Sequence, residues 1–233
     1  MKKIILTLLA LVGTISMNAQ IMQIYNGETL VKEYKASEAT HVVFKEAPTT
    51  GTEKRTGDID VNWVQLWENG PKFAEYNVGA ANNKAEDYGG YYNWGMSEVQ
   101  TFSNRTNYKS GTDPLTGADD TATKLWGSNW RMPTQTELQG LIDNCDVAWT
   151  NVNGKDGCKY TGKGAYASNS VFLPAAGYYY YGNASDQGNC GYYWSSTPNS
   201  SNNAYYLRCK SGTQNVTPNN RGLGYSVRAV LAE

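Results

Sequence analysis

The chain has 233 residues and is nearly neutral, with 20 Lys and Arg against 21 Asp and Glu and a single His. Charged residues make up only 18% of it, against 18 Tyr, 24 Gly and 7 Trp. A chain this aromatic and this weakly charged is not disordered. It lacks the basic excess of a nucleic-acid binder, and one His leaves little room for His-based catalysis or metal chemistry. The low content of helix formers and the absence of βα alternation also argue against a TIM barrel.

In chain order, residues 1–19 read as a secretory signal peptide. Lys2 and Lys3 form a basic start, Ile4 to Val12 an apolar run, and Ala19 precedes a cleavage point at Gln20. The run is too short to span a bilayer, and no Cys follows it to carry a lipid. The expected location is therefore exported: periplasmic, cell-surface or secreted, with no transmembrane segment in the mature chain. Residues 20–47 read as a small β-hairpin segment, because Met22 to Tyr25 and Thr29 to Tyr34 alternate around Asn26-Gly27. His41 to Phe44 is a third strand candidate, with His41 in a structural or surface role. Residues 48–57, rich in Thr, Gly and charge, read as a linker, and residues 58–233 as the main domain.

Within that domain two helices stand out. Thr134 to Asn144 has Thr134 as cap and Glu137 three residues on, a capping box. Leu138, Leu141, Ile142 and Cys145 then share one face. A second helix runs from Asp119 to Trp126, with an acidic start, Gly127 at its end, and Ala122 and Trp126 inward. The remainder is short apolar and aromatic runs broken by Gly, Asn and Pro. Strands are expected at Val61–Trp67, Tyr91–Trp94, Val171–Leu173, Tyr178–Tyr181, Tyr192–Ser195, Ala204–Lys210 and Tyr225–Val230. The class is α+β. Trp63, Trp94, Trp130 and Trp194 are read as core rather than as sugar-stacking platforms. Cys145, Cys158, Cys190 and Cys209 fit no zinc spacing. Export permits one or two bridges, with Cys145 and Cys158 the nearer pair, and four buried thiols are the alternative.

Several motifs occur in order: Tyr76-Asn77-Val78-Gly79-Ala80, Glu86-Asp87-Tyr88-Gly89, Tyr91-Tyr92-Asn93-Trp94-Gly95, Trp130-Arg131-Met132-Pro133-Thr134, Phe172-Leu173-Pro174-Ala175-Ala176-Gly177, Gly191-Tyr192-Tyr193-Trp194-Ser195-Ser196 and Ser226-Val227-Arg228. On these the chain resembles the Fibrobacter succinogenes major paralogous domain family, related to the DUF1566 type and common in exported proteins of Bacteroidetes. The resemblance covers Val61 to Val230. It implies a C-type-lectin-like fold of the formylglycine-generating-enzyme type, with short strands, two helices and long loops. Similar domains serve as variable proteins of diversity-generating retroelements, whose C-terminal stretch is rewritten at adenines.

Codons bear on that last point. An Asn codon begins with two adenines, and randomising both reaches Tyr, Ser, Asp, Cys, Gly and Arg among others, but never Lys, Glu, Gln, Met or Trp. From Gly177 to Arg228 the chain is dense in reachable types, while Gln187, Lys210 and Gln214 fall outside the set. Tyr, Ser, Gly and Asn also form the antibody paratope alphabet. The candidate ligand-binding residues are Tyr178, Tyr179, Tyr180, Tyr181, Asn183, Ser185, Asp186, Asn189, Asn199, Ser201, Asn202, Asn203, Tyr206, Arg208, Asn215, Asn219 and Asn220. Strand alternation places Tyr205, Leu207 and Cys209 on one face of their strand and Tyr206, Arg208 and Lys210 on the other. Leu207 marks the first face as buried, so Tyr206 and Arg208 are assigned to the binding face. In Tyr178–Tyr181 the parity is open, and about half of those rings are expected to point inward.

Enzyme readings fare poorly. There is no G-x-S-x-G elbow, phosphate loop or zinc motif. No paired carboxylates read as a hydrolytic couple, and the surroundings of Cys190 and Cys209 do not match the copper-binding cysteines of formylglycine-generating enzymes. Calcium-dependent lectin motifs are absent. The expectation is a non-enzymatic exported protein with no cofactor, binding a protein or glycan ligand on another cell or surface. The alternative is a structural or adhesin-like surface module.

Overall fold

A computed structural model describes residues 21–26, 29–35 and 49–232. The stretch expected as a signal peptide, Gly27 and the strand expected at His41 to Phe44 lie outside the described residues. The chain forms two units, Met1–Ala47 and Pro48–Glu233. In the first, β1 (Ile21–Asn26) pairs antiparallel with β2 (Thr29–Lys35), with Asn26 opposite Thr29. That is the hairpin the Asn-Gly pair predicts.

The second unit opens on a departure from the sequence reading. Residues 48–57, expected as a linker, carry β3 (Thr50–Arg55), which pairs along its length with β4 (Ile59–Gln65). The strand has no hydrophobic side chain to announce it. It is held at the sheet edge by its ladder and by Trp63, whose ring lies so close over Gly51 that a Cβ there would come within 2.5 Å. Lys54 adds exposed ion pairs to Asp60 at 2.8 Å and Asp58 at 3.4 Å. Then follow β5 (Lys72–Ala74), α1 (Thr121–Trp126), β6 (Trp130–Arg131) and α2 (Gln135–Asn144). Next come β7 (Asp146–Val152), β8 (Lys155–Thr161), β9 (Ser170–Pro174), β10 (Tyr178–Tyr180) and β11 (Asn183–Ser185). The chain closes with β12 (Gly191–Pro198), β13 (Asn203–Lys210), β14 (Thr213–Asn220) and β15 (Val230–Leu231). The result is a β-rich mixed fold with two α-helices among the described residues.

Both helices form as their caps dictate. Asp120 accepts from the Thr123 amide at the start of α1, and Gly127, at φ 94°, ends it. In α2 the Thr134 side chain accepts from the Glu137 amide, and the Glu137 carboxylate accepts from the Thr134 amide. The sheets are β3-β4-β5-β15-β6, the meanders β7-β8-β9 and β12-β13-β14, and the ribbon β10-β11. Tyr91–Trp94, expected as a strand, makes single bridges instead, Tyr92 pairing with Val99 and Tyr225. Of Tyr225–Val230, only Val230 enters a strand.

The β12-β13-β14 meander positions everything that follows, because it separates two cores. Tyr192, Trp194 and Tyr206 join Trp63, Trp94, Trp126, Trp130 and Tyr225 on one side. Tyr193, Leu207 and Cys209 join Leu138 and Leu141 of α2 on the other. Strand alternation sends neighbouring rings to opposite faces, and here both faces are buried. Trp63, Trp94, Trp130 and Trp194 are all core residues. The four cysteines are free thiols, all buried. Burial pushes the Cys145 thiol up to about 11. Arg228 is also fully buried, donating to Asn77 Oδ1 and to the carbonyls of Ala74, Glu75 and Phe172. Burial pulls its guanidinium down to about 10, so it remains charged at neutral pH.

Candidate functional site

One end of the aromatic face of β12-β14 is left open. The ribbon β10-β11 supplies one wall, because Gly177 takes φ 69° and turns the chain back toward Gly191. No side chain fits at Gly177: a Cβ would meet the Ser185 carbonyl oxygen at 2.0 Å. Tyr181 and Gly182, at φ 49° and 82°, make the two-residue turn between Tyr180 and Asn183. Positive φ at a Tyr costs on the order of 1–2 kcal/mol, yet Tyr181 is half exposed on an outer surface. There its ring packs near Phe102 and beneath the Arg105 guanidinium, 4.7 Å from the centroid. The other wall is the 221–225 segment, tied to the ribbon by paired amides between Tyr179 and Gly224 at 2.8 and 2.9 Å.

Between these walls lies a cleft of about 340 Å³, lined by Tyr178, Tyr180, Asp186, Tyr192, Tyr206, Arg208, Asn219, Leu223 and Tyr225. Its floor is a stack of tyrosine rings. Tyr192 lies 5.1 Å from Tyr225 and 5.9 Å from Tyr206, and Tyr206 lies 4.8 Å from Tyr225. Tyr178 meets Tyr192 edge-on at 5.2 Å. The hydroxyls are partly organised. Tyr192 donates to Asp186 Oδ2 at 2.7 Å, and Asn219 Nδ2 donates to the Tyr225 hydroxyl at 2.9 Å. Burial pushes the hydroxyls of Tyr192, Tyr206 and Tyr225 up, and for Tyr192 the Asp186 bond adds to it. All three are therefore neutral hydrogen-bonding groups at physiological pH.

The structure sorts the residues proposed from sequence. It brings Tyr178, Tyr180, Asp186, Tyr206, Arg208 and Asn219 together around the cleft. The parity that put Tyr206 and Arg208 on one face is observed, with one correction. Tyr206 is only 6% exposed, because Trp194, Tyr192 and Tyr225 pack around it. It is cleft floor rather than protruding contact. Tyr179 stacks on Tyr91 outside the cleft, and Tyr181 joins Phe102. Asn183 and Ser185 of the ribbon, and Asn189 after it, are not part of the cleft lining. Asn199, Ser201, Asn202 and Asn203 form the β12–β13 hairpin tip, where the Asn199 and Ser200 amides bond the Asn203 carbonyl and Arg221 donates to the Ser200 and Asn203 carbonyls. Asn215 and Asn220 are exposed on β14, outside the lining. Sequence reasoning missed Tyr192, Leu223 and Tyr225. Tyr192 stands directly opposite Arg208 in the ladder, a register that alternation along either strand does not give.

Arg208 differs from the other five arginines. Arg55, Arg105, Arg131, Arg221 and Arg228 each donate to at least one oxygen. Arg208 has no such bond among the described residues; it lies beside Cys190, and its Nε is buried without a hydrogen-bond partner. A larger groove of about 720 Å³ opens elsewhere, lined in part by Trp63, Asn169 and Phe172. Two of its polar side chains are internally matched, Asn169 Nδ2 donating to the Gln65 carbonyl and Asn62 Nδ2 to Glu75. Among the described residues no cluster of three or more His, Cys, Asp or Glu could hold a metal, and no helix is long and apolar enough to cross a membrane.

Fold and site thus define a β-rich α+β domain with a tyrosine-floored, polar-walled cleft. Residues 148–230 match a family model described as a domain of unknown function, DUF8237, and that span includes every cleft residue. No curated protein and no solved structure matches the chain.

Proposed function

We propose that this is an exported, non-enzymatic binding protein of the C-type-lectin-like, Fibrobacter succinogenes major paralogous type, which takes a ligand in the cleft between β10-β11 and β12-β14. The observation that carries the reading is the cleft itself, where rigid rings, neutral hydroxyls and a guanidinium free of protein oxygen partners meet. Tyrosine offers large contact area at low entropy cost, and a fixed scaffold bearing variable loops suits recognition. The cleft also fits diversification by a retroelement. The six lining residues singled out from sequence are all reachable from Asn codons, while Gln187, Lys210 and Gln214 are not in the lining.

The test is a glycan and peptide array probed with the mature chain, repeated with Tyr180→Ala combined with Asp186→Asn. Affinity for the captured ligand should drop at least tenfold while the melting temperature stays within about 2 °C. Affinity unchanged within twofold would place binding elsewhere, as the surface-module alternative requires. For diversification, the neighbouring DNA should hold a near-copy of the 3′ coding end, differing only at adenines, beside a reverse transcriptase. For export, the chain recovered from a bacterial periplasm should begin at Gln20, and an intact Met1 there would refute it.

A further inference from the structure

The chemistry of the cleft narrows the ligand. A guanidinium that faces a cavity without a carboxylate or carbonyl partner is a cation whose bonds to oxygen are unmade, and planar anions are its best match. Arg208 is in that position, and Asp186 does not neutralise it. The two form no ion pair, and Asp186 is held at φ 58° with its Oδ2 accepting from Tyr192. The rest of the lining is neither apolar nor flat. Tyr192, Tyr206 and Tyr225 hydroxyls, the Asn219 amide and the Asp186 carboxylate offer donors and acceptors at short intervals. Tyr180, 40% exposed, offers a ring face at the rim. The volume, about 340 Å³, lies at the small end of ligand sites, near 300–1,000 Å³.

We infer that the cleft takes an acidic sugar, a hexuronic acid residue whose carboxylate pairs with Arg208, whose hydroxyls bond Asp186, Asn219 and the tyrosine hydroxyls, and whose C–H face rests on Tyr180. An acidic peptide would satisfy Arg208 too, but it carries fewer hydroxyls to use the capacity that Asp186, Asn219 and the tyrosine hydroxyls keep beyond their bonds to one another. The inference rests on the cleft being the binding site.

The experiment is calorimetric titration of the mature full-length chain with four probes: trigalacturonate, its methyl ester, free glucuronate and hexaglutamate. Trigalacturonate should bind at least tenfold more tightly than its methyl ester and more tightly than hexaglutamate. Free glucuronate should compete with it, and affinity should fall as NaCl rises from 50 to 500 mM. Arg208→Gln should cost the acidic sugar tenfold or more while changing binding of the ester less than twofold, and Arg208→Lys should recover part of the loss. Equal binding of acid and ester, tighter binding of hexaglutamate, indifference to Arg208→Gln, or no uronate binding at all would each overturn the acidic-sugar assignment. The site itself is judged separately by Tyr180→Ala with Asp186→Asn. If that pair abolishes binding of the methyl ester or the peptide, the cleft stands and only the ligand class falls. If no cleft substitution alters binding of any probe that binds, both fall.

Discussion

Replacing Glu137 with Ala tests how the cleft's supporting layer is anchored. Glu137 performs two tasks at the start of α2, the helix that packs behind β13 and β14. Its Oε2 accepts from the Thr134 amide at 2.7 Å, completing the cap, and its two oxygens accept from Arg131 Nη1 and Nη2 at 2.8 and 2.7 Å. The pair is mostly shielded, with side chains 32% and 21% exposed. Loss of a cap partner costs roughly 1 kcal/mol. A hydrogen-bonded pair of charges adds about 1.5–3 kcal/mol. Allowing for screening, Glu137→Ala should destabilise by about 2–3 kcal/mol. At about 2–4 °C per kcal/mol for a chain of this size, the melting temperature should fall by roughly 4–12 °C, read by calorimetry or far-UV circular dichroism at pH 7. The pH dependence supplies the sign. Burial alone would raise the Glu137 carboxyl, but Arg131 and the Thr134 bonds outweigh it and hold it below its ordinary 4.5. A depressed carboxyl contributes stability above its unfolded value and loses it as pH falls through the folded one. The gap between native and variant should therefore narrow below pH 4.5. A shift under about 2 °C at pH 7, or a gap that widens in acid, would refute the reasoning.

Gly177→Ala should destabilise by about 3 kcal/mol or more, since φ is 69° and the new Cβ would strike the Ser185 carbonyl. An unchanged urea midpoint would mean the ribbon shifts freely. Arg228→Lys should lower the melting temperature by several degrees, because one ammonium cannot reach the four acceptors that the planar guanidinium serves. Equal stability of the two would show that charge alone matters there. The native chain should show no rapidly reacting thiol toward a disulfide reagent, and four after unfolding without reductant, given four free and buried cysteines. A count of two after unfolding would reveal a bridge.

Local signals accounted for the helices and for part of the sheet. The Thr134–Glu137 box and the Asp120 and Gly127 caps are interactions within a few residues, so they can be read without tertiary knowledge. The same holds in principle for β7 and β8, which are joined by Asn153-Gly154 at φ 48° and 85°, the dipeptide that also stands between the first two runs of the sequence. The flanking residues alternate only weakly, so the turn by itself does not announce the two strands. β3 could not be found that way. Its stability comes from an edge ladder and from Trp63 folding over Gly51, a contact across the sheet rather than along the chain.

By itself the sequence determined which face of β13 carries Tyr206 and Arg208, because alternation along a strand is a local geometric rule. It also determined that Tyr, Asn and Ser crowd the last fifty residues. What covers that face was decided by the tertiary structure alone. Tyr225 arrives from beyond β14 and Tyr178 from the ribbon, their rings closing over Tyr192 and Tyr206 and leaving only a small cleft. Most of the tyrosine and asparagine excess consequently went into packing, turns and hairpin tips. The part that faces a ligand-sized space was selected by contacts between segments far apart in the chain, and no pattern along the sequence records those.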